Sequence, residues 1–225
     1  MIDKASAAVC AVLTALAFAS GLAAAVHLPP GAQIPVHFGI DGQPNGWAGR
    51  WFGTLAIPAV SAGVWVLLAV VVPIIEPRKA NLAKSRRAYG TGWVAITAML
   101  TFLQGVILAL AFGSTLNPTR LTLGAIGGLF VVVGNVLGKT SATHTFGIRT
   151  RWTLADEDVW DKTHRFAGWV FVLGGALVLT TAFFLPAGAG SAAVTAAVIA
   201  AVALLPPIKS YLLWREKQTG GPPNL

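Results

Sequence analysis

Residues 51–75 read WFGTLAIPAVSAGVWVLLAVVVPII and are followed at 76–87 by EPRKANLAKSRR. The first stretch holds 25 residues without an Asp, Glu, Lys or Arg. A helix of about 20 residues spans the roughly 30 Å hydrocarbon core of a bilayer, and it satisfies its own backbone groups where no water is available. The second stretch carries Arg78, Lys79, Lys84, Arg86 and Arg87. An uncharged run ending in a cationic one reads as a membrane span whose cytoplasmic end is marked.

Moving outward, the same uncharged character recurs at 5–26, 89–112, 121–138, 166–185 and 191–208, which makes six spans. The expected fold is therefore all-α: a polytopic membrane protein with six transmembrane helices. Composition agrees, since 55% of the residues are apolar and 11% charged, against about 25% charged in an ordinary soluble domain. With a mean hydropathy of +0.71, too little polar surface exists to wrap an apolar core in water, which excludes a disordered chain and argues against a conventional soluble globule. The lone Cys10 allows no intrachain disulfide and no cysteine-based metal motif. Three units are expected within one membrane body: 1–75, 76–138 and 139–225.

The formal charge of +8 would suggest nucleic acid in a soluble protein. Here 14 of the 16 cations fall at the amino terminus, in the second and fourth loops and in the tail, leaving Arg50 and Arg120 for the opposite side. By the positive-inside rule both termini are expected in the cytoplasm of a multi-pass, N-in/C-in protein. The cations face lipid headgroups, so membrane lipids are partners and direct nucleic-acid binding is not expected. Lys4 before an apolar run, with Ala23-Ala24-Ala25 after it, also fits a cleaved leader; at 22 residues the run exceeds the usual h-region of about 7–15, so a retained span is the expectation.

Inside the spans the notable polar groups are Gln104 and Asn135, expected to lie within the bundle as interhelical bonds. No acid or histidine stands at mid-depth, which argues against a proton-coupled carrier. Gly124/Gly128 and Gly134/Gly138 form two GxxxG spacings, which predicts close packing and makes the fourth span the most buried helix. Pro58 and Pro73 predict a kink or a stop in the second.

The outer loop contains Asp41-Gly42 and Pro44-Asn45-Gly46, turn chemistry that predicts a compact reversal or small hairpin. Phe38 and Trp47 are expected at the membrane interface. A structural cap and a peptide-recognition surface are both open readings, the latter with His37, Phe38, Asp41, Asn45 and Trp47 as its residues. His27, His37 and Asp41 match no tight metal pattern.

In the inner loop, Thr153 followed at the third position by Asp156 resembles a capping box, and Asp156, Glu157 and Asp158 suit a helix amino terminus. A short interfacial helix is therefore expected before the fifth span, with Asp158/Lys162 and Asp161/Arg165 as i,i+4 ion pairs and Trp152, Trp160 and Trp169 at headgroup depth. The loop reads as a structured platform. The alternative, Asp161 and His164 as an acid–base or metal pair, lacks a nucleophile or third ligand.

Two sets of residues carry a family resemblance. Ile34-Pro35-Val36-His37-Phe38 with Asn45-Gly46-Trp47 is similar to the amino-terminal domain of the SdpI family. Gly134-Asn135-Val136-Leu137-Gly138-Lys139, Phe146-Gly147-Ile148-Arg149-Thr150, Trp152-Thr153-Leu154, Val159-Trp160, Lys162-Thr163-His164-Arg165 and Gly168 resemble its carboxy-terminal signature. Arg151 stands where the family usually has Pro. The resemblance implies a non-enzymatic immunity or sensor protein of the bacterial plasma membrane. Its implied partners are a secreted peptide toxin outside and a cytoplasmic transcriptional repressor docked on Arg149, Thr150, Trp152, Trp160, Lys162, His164 and Arg165 inside. No cofactor, metal or catalytic residue is expected. A permease-like or accessory subunit of an envelope complex is the alternative, and a membrane hydrolase ranks last. A reporter that is active only in the cytoplasm, fused after Leu225, is expected to be active; activity of a periplasm-specific reporter at that position overturns the topology.

Overall fold

A computed structural model describes residues 3–39, 42–186 and 188–220. Among them the order is α1 (Lys4–His27), β1 (Gln33–Phe38), β2 (Pro44–Gly49), α2 (Arg50–Val66), a π-helical stretch (Leu67–Val71), α3 (Val72–Ile75), α4 (Lys79–Lys84), α5 (Arg86–Ala111), α6 (Pro118–Leu137), α7 (Arg151–Ala155), α8 (Glu157–Phe184) and α9 (Ala189–Gln218). Six helices are long and apolar enough to cross a membrane, with α2 through α3 forming the second. The protein is thus a multi-pass helical membrane protein. Its outer belt is apolar: Phe184 is 81% exposed, and Val26, Phe52 and Leu173 are nearly as open. Water would not tolerate such a surface, whereas lipid does.

The first three spans pack on one another, α6 leans on α5, and α8 joins α6 to α9. At the end bearing the cationic loops, Cys10, Val72, Leu82, Tyr89 and Trp93 form a core. At the opposite end, Ala24, Leu28, Ile34 and Ile107 form another.

Pro58 sits inside α2 without ending it. Pro73 acts differently. It supplies no N–H, and its ring disfavours a close carbonyl at Ala69; the helix widens one turn ahead of it, so that the Val72 N–H bonds to the carbonyl of Leu67 rather than that of Leu68. The released Leu68 carbonyl accepts the Tyr89 hydroxyl at 2.7 Å, which leaves no orphan acceptor.

The strongest helix pair, α6 with α8, is a glycine seam, though not at both expected spacings. A Cβ on Gly134 would lie 2.8 Å from the Gly168 carbonyl, and one on Gly127 would lie 2.9 Å from the Gly175 carbonyl. The two glycines on each helix are seven residues apart, so they return to one face, while Gly128 looks into open space. The fourth span is not the most buried helix: five of its 20 residues are buried, against ten of the 28 in α8. Its glycine stripe is narrow and the rest faces lipid. Asn135 follows Gly134 by about 100° around the helix and is exposed rather than intrabundle. Gln104 is buried as expected, and its Nε2 donates to the Thr54 carbonyl at 2.8 Å.

Gly168→Val forces a side chain into the seam and is expected to destabilise the protein by about 2 kcal/mol, whereas Gly128→Val costs little. Thermal unfolding of both variants in detergent checks the contrast.

Candidate functional site

At the cationic end, the second span stops at Glu76, whose carboxylate is fully buried. It accepts the backbone N–H of Arg78 at 2.9 Å, of His144 at 3.0 Å and of Thr145 at 2.9 Å, and the Thr145 hydroxyl at 2.6 Å. Burial pushes the Glu76 carboxyl up, but the Thr145 hydroxyl and these three N–H groups outweigh it and hold the group below its ordinary 4.5. The carboxylate thereby fastens the loop after α6 to the end of the second span. Asn81 and Ser85 add to the fastening: Asn81 Nδ2 donates to the Ala142 carbonyl at 2.8 Å, and Ser85 Oγ accepts the Ser141 N–H at 2.8 Å.

The next stretch is held by α8. Trp160 and His164 are buried and stacked, with ring centroids 3.9 Å apart. Trp160 Nε1 donates to the Thr140 carbonyl at 2.8 Å. His164 Nε2 accepts the Ile148 N–H at 2.9 Å, which makes Nδ1 the protonated nitrogen and donor to the Trp160 carbonyl, also at 2.9 Å. Gly147 passes over these rings at φ +106°. A Cβ there would lie 2.7 Å from His164 Nε2, so both the backbone and the space demand glycine.

The helix start also differs from expectation. Thr150, not Thr153, caps α7, and it forms a reciprocal box with Thr153; Thr150 Oγ1 meets Ser210 Oγ of α9 at 3.0 Å. Asp156 then caps α8 through the N–H groups of Asp158 and Val159. Lys217, in the last turn of α9, approaches Asp156 at 2.8 Å and Asp158 at 3.0 Å. The Lys217 ammonium beside Asp156 holds that carboxyl below its ordinary range, against a smaller opposing effect of burial. Trp152 packs against Tyr211 and Trp214 of the same helix.

At the other end, β1 and β2 pair antiparallel with an irregularity around His37. Ile34 sinks against Gly53, where a Cβ would lie 2.7 Å from the Ile34 Cβ; the hairpin is thereby pinned onto the helices. Gly46 stands opposite His37 with no room for a side chain, and His37 Nδ1 bonds Asn45 Oδ1. Beneath the hairpin opens a cleft of about 530 Å³ whose walls include Ile57, Val106, Leu123, Thr195 and Ile199, with His37 and Phe38 at its roof.

Of the outer candidates, the structure brings His37 and Phe38 to this cleft and ties Asn45 to His37. Trp47 is 56% exposed and is not among the lining residues, and Asp41 lies outside the described residues. Of the inner candidates, Trp160 and His164 cannot offer a docking surface, because both are buried beneath the loop. For the same reason the Trp160 ring faces protein rather than lipid headgroups. Both His164 nitrogens are spent on backbone, so it forms no acid–base pair with Asp161. Arg149 is exposed and donates to the His144 carbonyl at 2.7 Å; Lys162 pairs with Asp158 at 3.2 Å. Arg165 is exposed, and no ion pair joins it to Asp161 among the described residues. Glu76, Asn81 and Ser85 were not expected to matter. The available signal was that Glu76 is the sole acid between Asp41 and Asp156.

Two regions of the chain match known families. Residues 139–210 match the SdpI/YfhL protein family, and residues 12–62 match a domain of unknown function, DUF1648. The immunity protein SdpI of Bacillus subtilis (strain 168) is 36% identical over 87 residues, which are 38% of this chain and 42% of that protein. The match therefore spans less than half the length of that relative. No solved structure matches.

Removing the buried carboxylate strands its donors, so Glu76→Ala is expected to cost about 2–4 kcal/mol, read as a lowered unfolding temperature. Because the folded state holds the Glu76 carboxyl below 4.5, its contribution is complete above that pH and is lost as pH falls through the lowered value. Hydrogen exchange at the amides of His144 and Thr145, corrected for intrinsic rate, should accelerate over that acid range.

Proposed function

The chain belongs to the SdpI/YfhL family, and from that premise we propose that it is a non-enzymatic immunity protein of the bacterial plasma membrane that captures a secreted, membrane-active peptide. The observation that carries this reading is the apolar cleft under the hairpin, bounded by α2, α5, α6 and α9. A peptide partitioned into the outer leaflet reaches such a cleft sideways. Its apolar face meets Ile57, Val106, Leu123 and Ile199, while the His37–Asn45 pair and the hydroxyls of Thr119, Thr122 and Thr195 serve its polar edge. Protection follows only if the peptide is held more tightly here than in lipid.

In this reading both termini and the 139–165 loop are cytoplasmic, and α7 with the first turns of α8 lies at the inner interface. Relay to a cytoplasmic repressor passes along α6, which lines the cleft at Pro118–Leu123 and ends at the fastened loop. The docking face is then Arg149, Lys162 and the outer edge of Trp152, supported from beneath by Trp160, His164 and Thr150. Relay requires that this face bind its partner differently in the free and peptide-bound states. The permease-like alternative draws no support from Gln104, which is buried against α2.

Cells expressing the chain are expected to survive about tenfold more of at least one member of a panel of membrane-active peptide toxins, equivalent to about 1.4 kcal/mol of preferential capture. Ala196→Trp, which fills the cleft, should abolish the protection while leaving membrane expression intact. Equal protection by that variant removes the cleft from the reading, and unchanged killing by every peptide overturns immunity.

A further inference from the structure

We propose that the crevice outside the α6–α8 seam, at the cationic end, is a binding site for the headgroup of an anionic phospholipid. Here the glycine seam brings the two backbones together, and Asn135 of α6 and Lys139, two residues past its end, face Arg165 and Trp169 of α8 across about 360 Å³. Gly134 and Gly168 touch backbone to backbone, so the floor carries no side chain. The stem of Arg165 lies over Gly138, where a Cβ would be 3.2 Å from its Cγ.

Three polar side chains converge on this space, and none of them has a partner among the described residues. The Asn135 amide, the Lys139 ammonium and the Arg165 guanidinium make no hydrogen bond or ion pair among the described residues. Arg78 and Arg149 instead donate to carbonyls, and Lys162 and Lys217 pair with acids; what sets Lys139 and Arg165 apart from other uncommitted cations such as Lys84 and Arg87 is that they line one crevice together with Asn135. An amide on a lipid-facing surface requires a donor or acceptor from outside the chain. The α6 carboxy terminus, whose carbonyls disfavour an anion, is offset by the two cations that flank it.

The chemistry matches a phosphodiester at headgroup depth. Arg165 presents a planar fork, Lys139 a point charge, and Asn135, one turn deeper, both donor and acceptor for the ester region. Trp169 is 69% exposed, with Leu173 next along the helix at 64%, so an acyl chain has an apolar path away from the phosphate. A free anion would use the cations but not this lower half, which favours lipid over dissolved phosphate. Arg165 is thereby a lipid-binding residue rather than part of a protein-docking face.

Native mass spectrometry of the full chain in neutral detergent tests the site, with phosphatidylglycerol as probe and phosphatidylcholine and inorganic phosphate as the other arms. The chain is expected to retain phosphatidylglycerol about tenfold better than phosphatidylcholine, since each cation near the surface contributes appreciably. Lys139→Gln with Arg165→Gln should remove that preference, and Arg165→Lys should restore part of it. Lys84→Gln with Arg87→Gln, an equal charge loss on the same face, should leave it nearly unchanged. Equal loss in both double variants, displacement by inorganic phosphate at comparable concentration, or no preference between the two lipids overturns the proposal.

Discussion

A carboxylate withdrawn from water is stable only where donors replace the hydration it has given up. Glu76 obtains one from the nearby Arg78 N–H and the rest from a loop more than 60 residues further along the chain, and in doing so converts that loop from a tether into a part of the fold. Three backbone N–H groups and a hydroxyl fix its position; Trp160 and His164 then close over the following residues from the other side. The loop is thus gripped between the second span and the fifth, which share no direct packing of comparable extent. What the cationic end presents to its surroundings depends on this grip.

The two ends of the molecule are built on opposite principles. At the cationic end, the loop after α6 is held by specific hydrogen bonds to Glu76, Asn81, Ser85, Trp160 and His164. At the hairpin end, a few side chains, Ile34 foremost, anchor a small sheet above an apolar cleft. The proposed capture of an amphipathic peptide at one end, with a defined shape kept at the other, calls for such a division. The α6–α8 seam connects them, because backbones in direct contact transmit displacement with little slack.

Much of the architecture was legible beforehand, for reasons that also explain the errors. The spans announced themselves because lipid forbids charge along about 20 residues. Their ends were misplaced where helices continue beyond the uncharged runs: α8 begins at Glu157 and α9 runs to Gln218, past the charges that terminated the sequence reading. The hairpin followed from Asp41-Gly42 and Pro44-Asn45-Gly46. Asn135 was misread because glycine spacing says that a helix packs closely but not which of its faces does so. Glu76 was overlooked because an acid beside five cations looks like ordinary surface, and all but one of its donors are distant in sequence. The cap expected at Thr153 gave way to another register, with Thr150 capping α7 and Asp156 capping α8. Ser210 and Lys217, both from α9, stand against the one adopted, a tertiary decision that local propensity could not make.

The widened turn at Leu67–Val71 has an orientational consequence. A π-turn absorbs one residue without advancing the helix by its usual increment, so each position beyond it points where its predecessor would in an unbroken α-helix. Without that offset the last residues of the span would be turned by about 100°, and the Glu76 side chain would look away from His144 and Thr145. Pro73, the widened turn and the Tyr89 hydroxyl that stabilises it therefore act as an angular spacer, setting the azimuth at which the second span delivers its terminal charge.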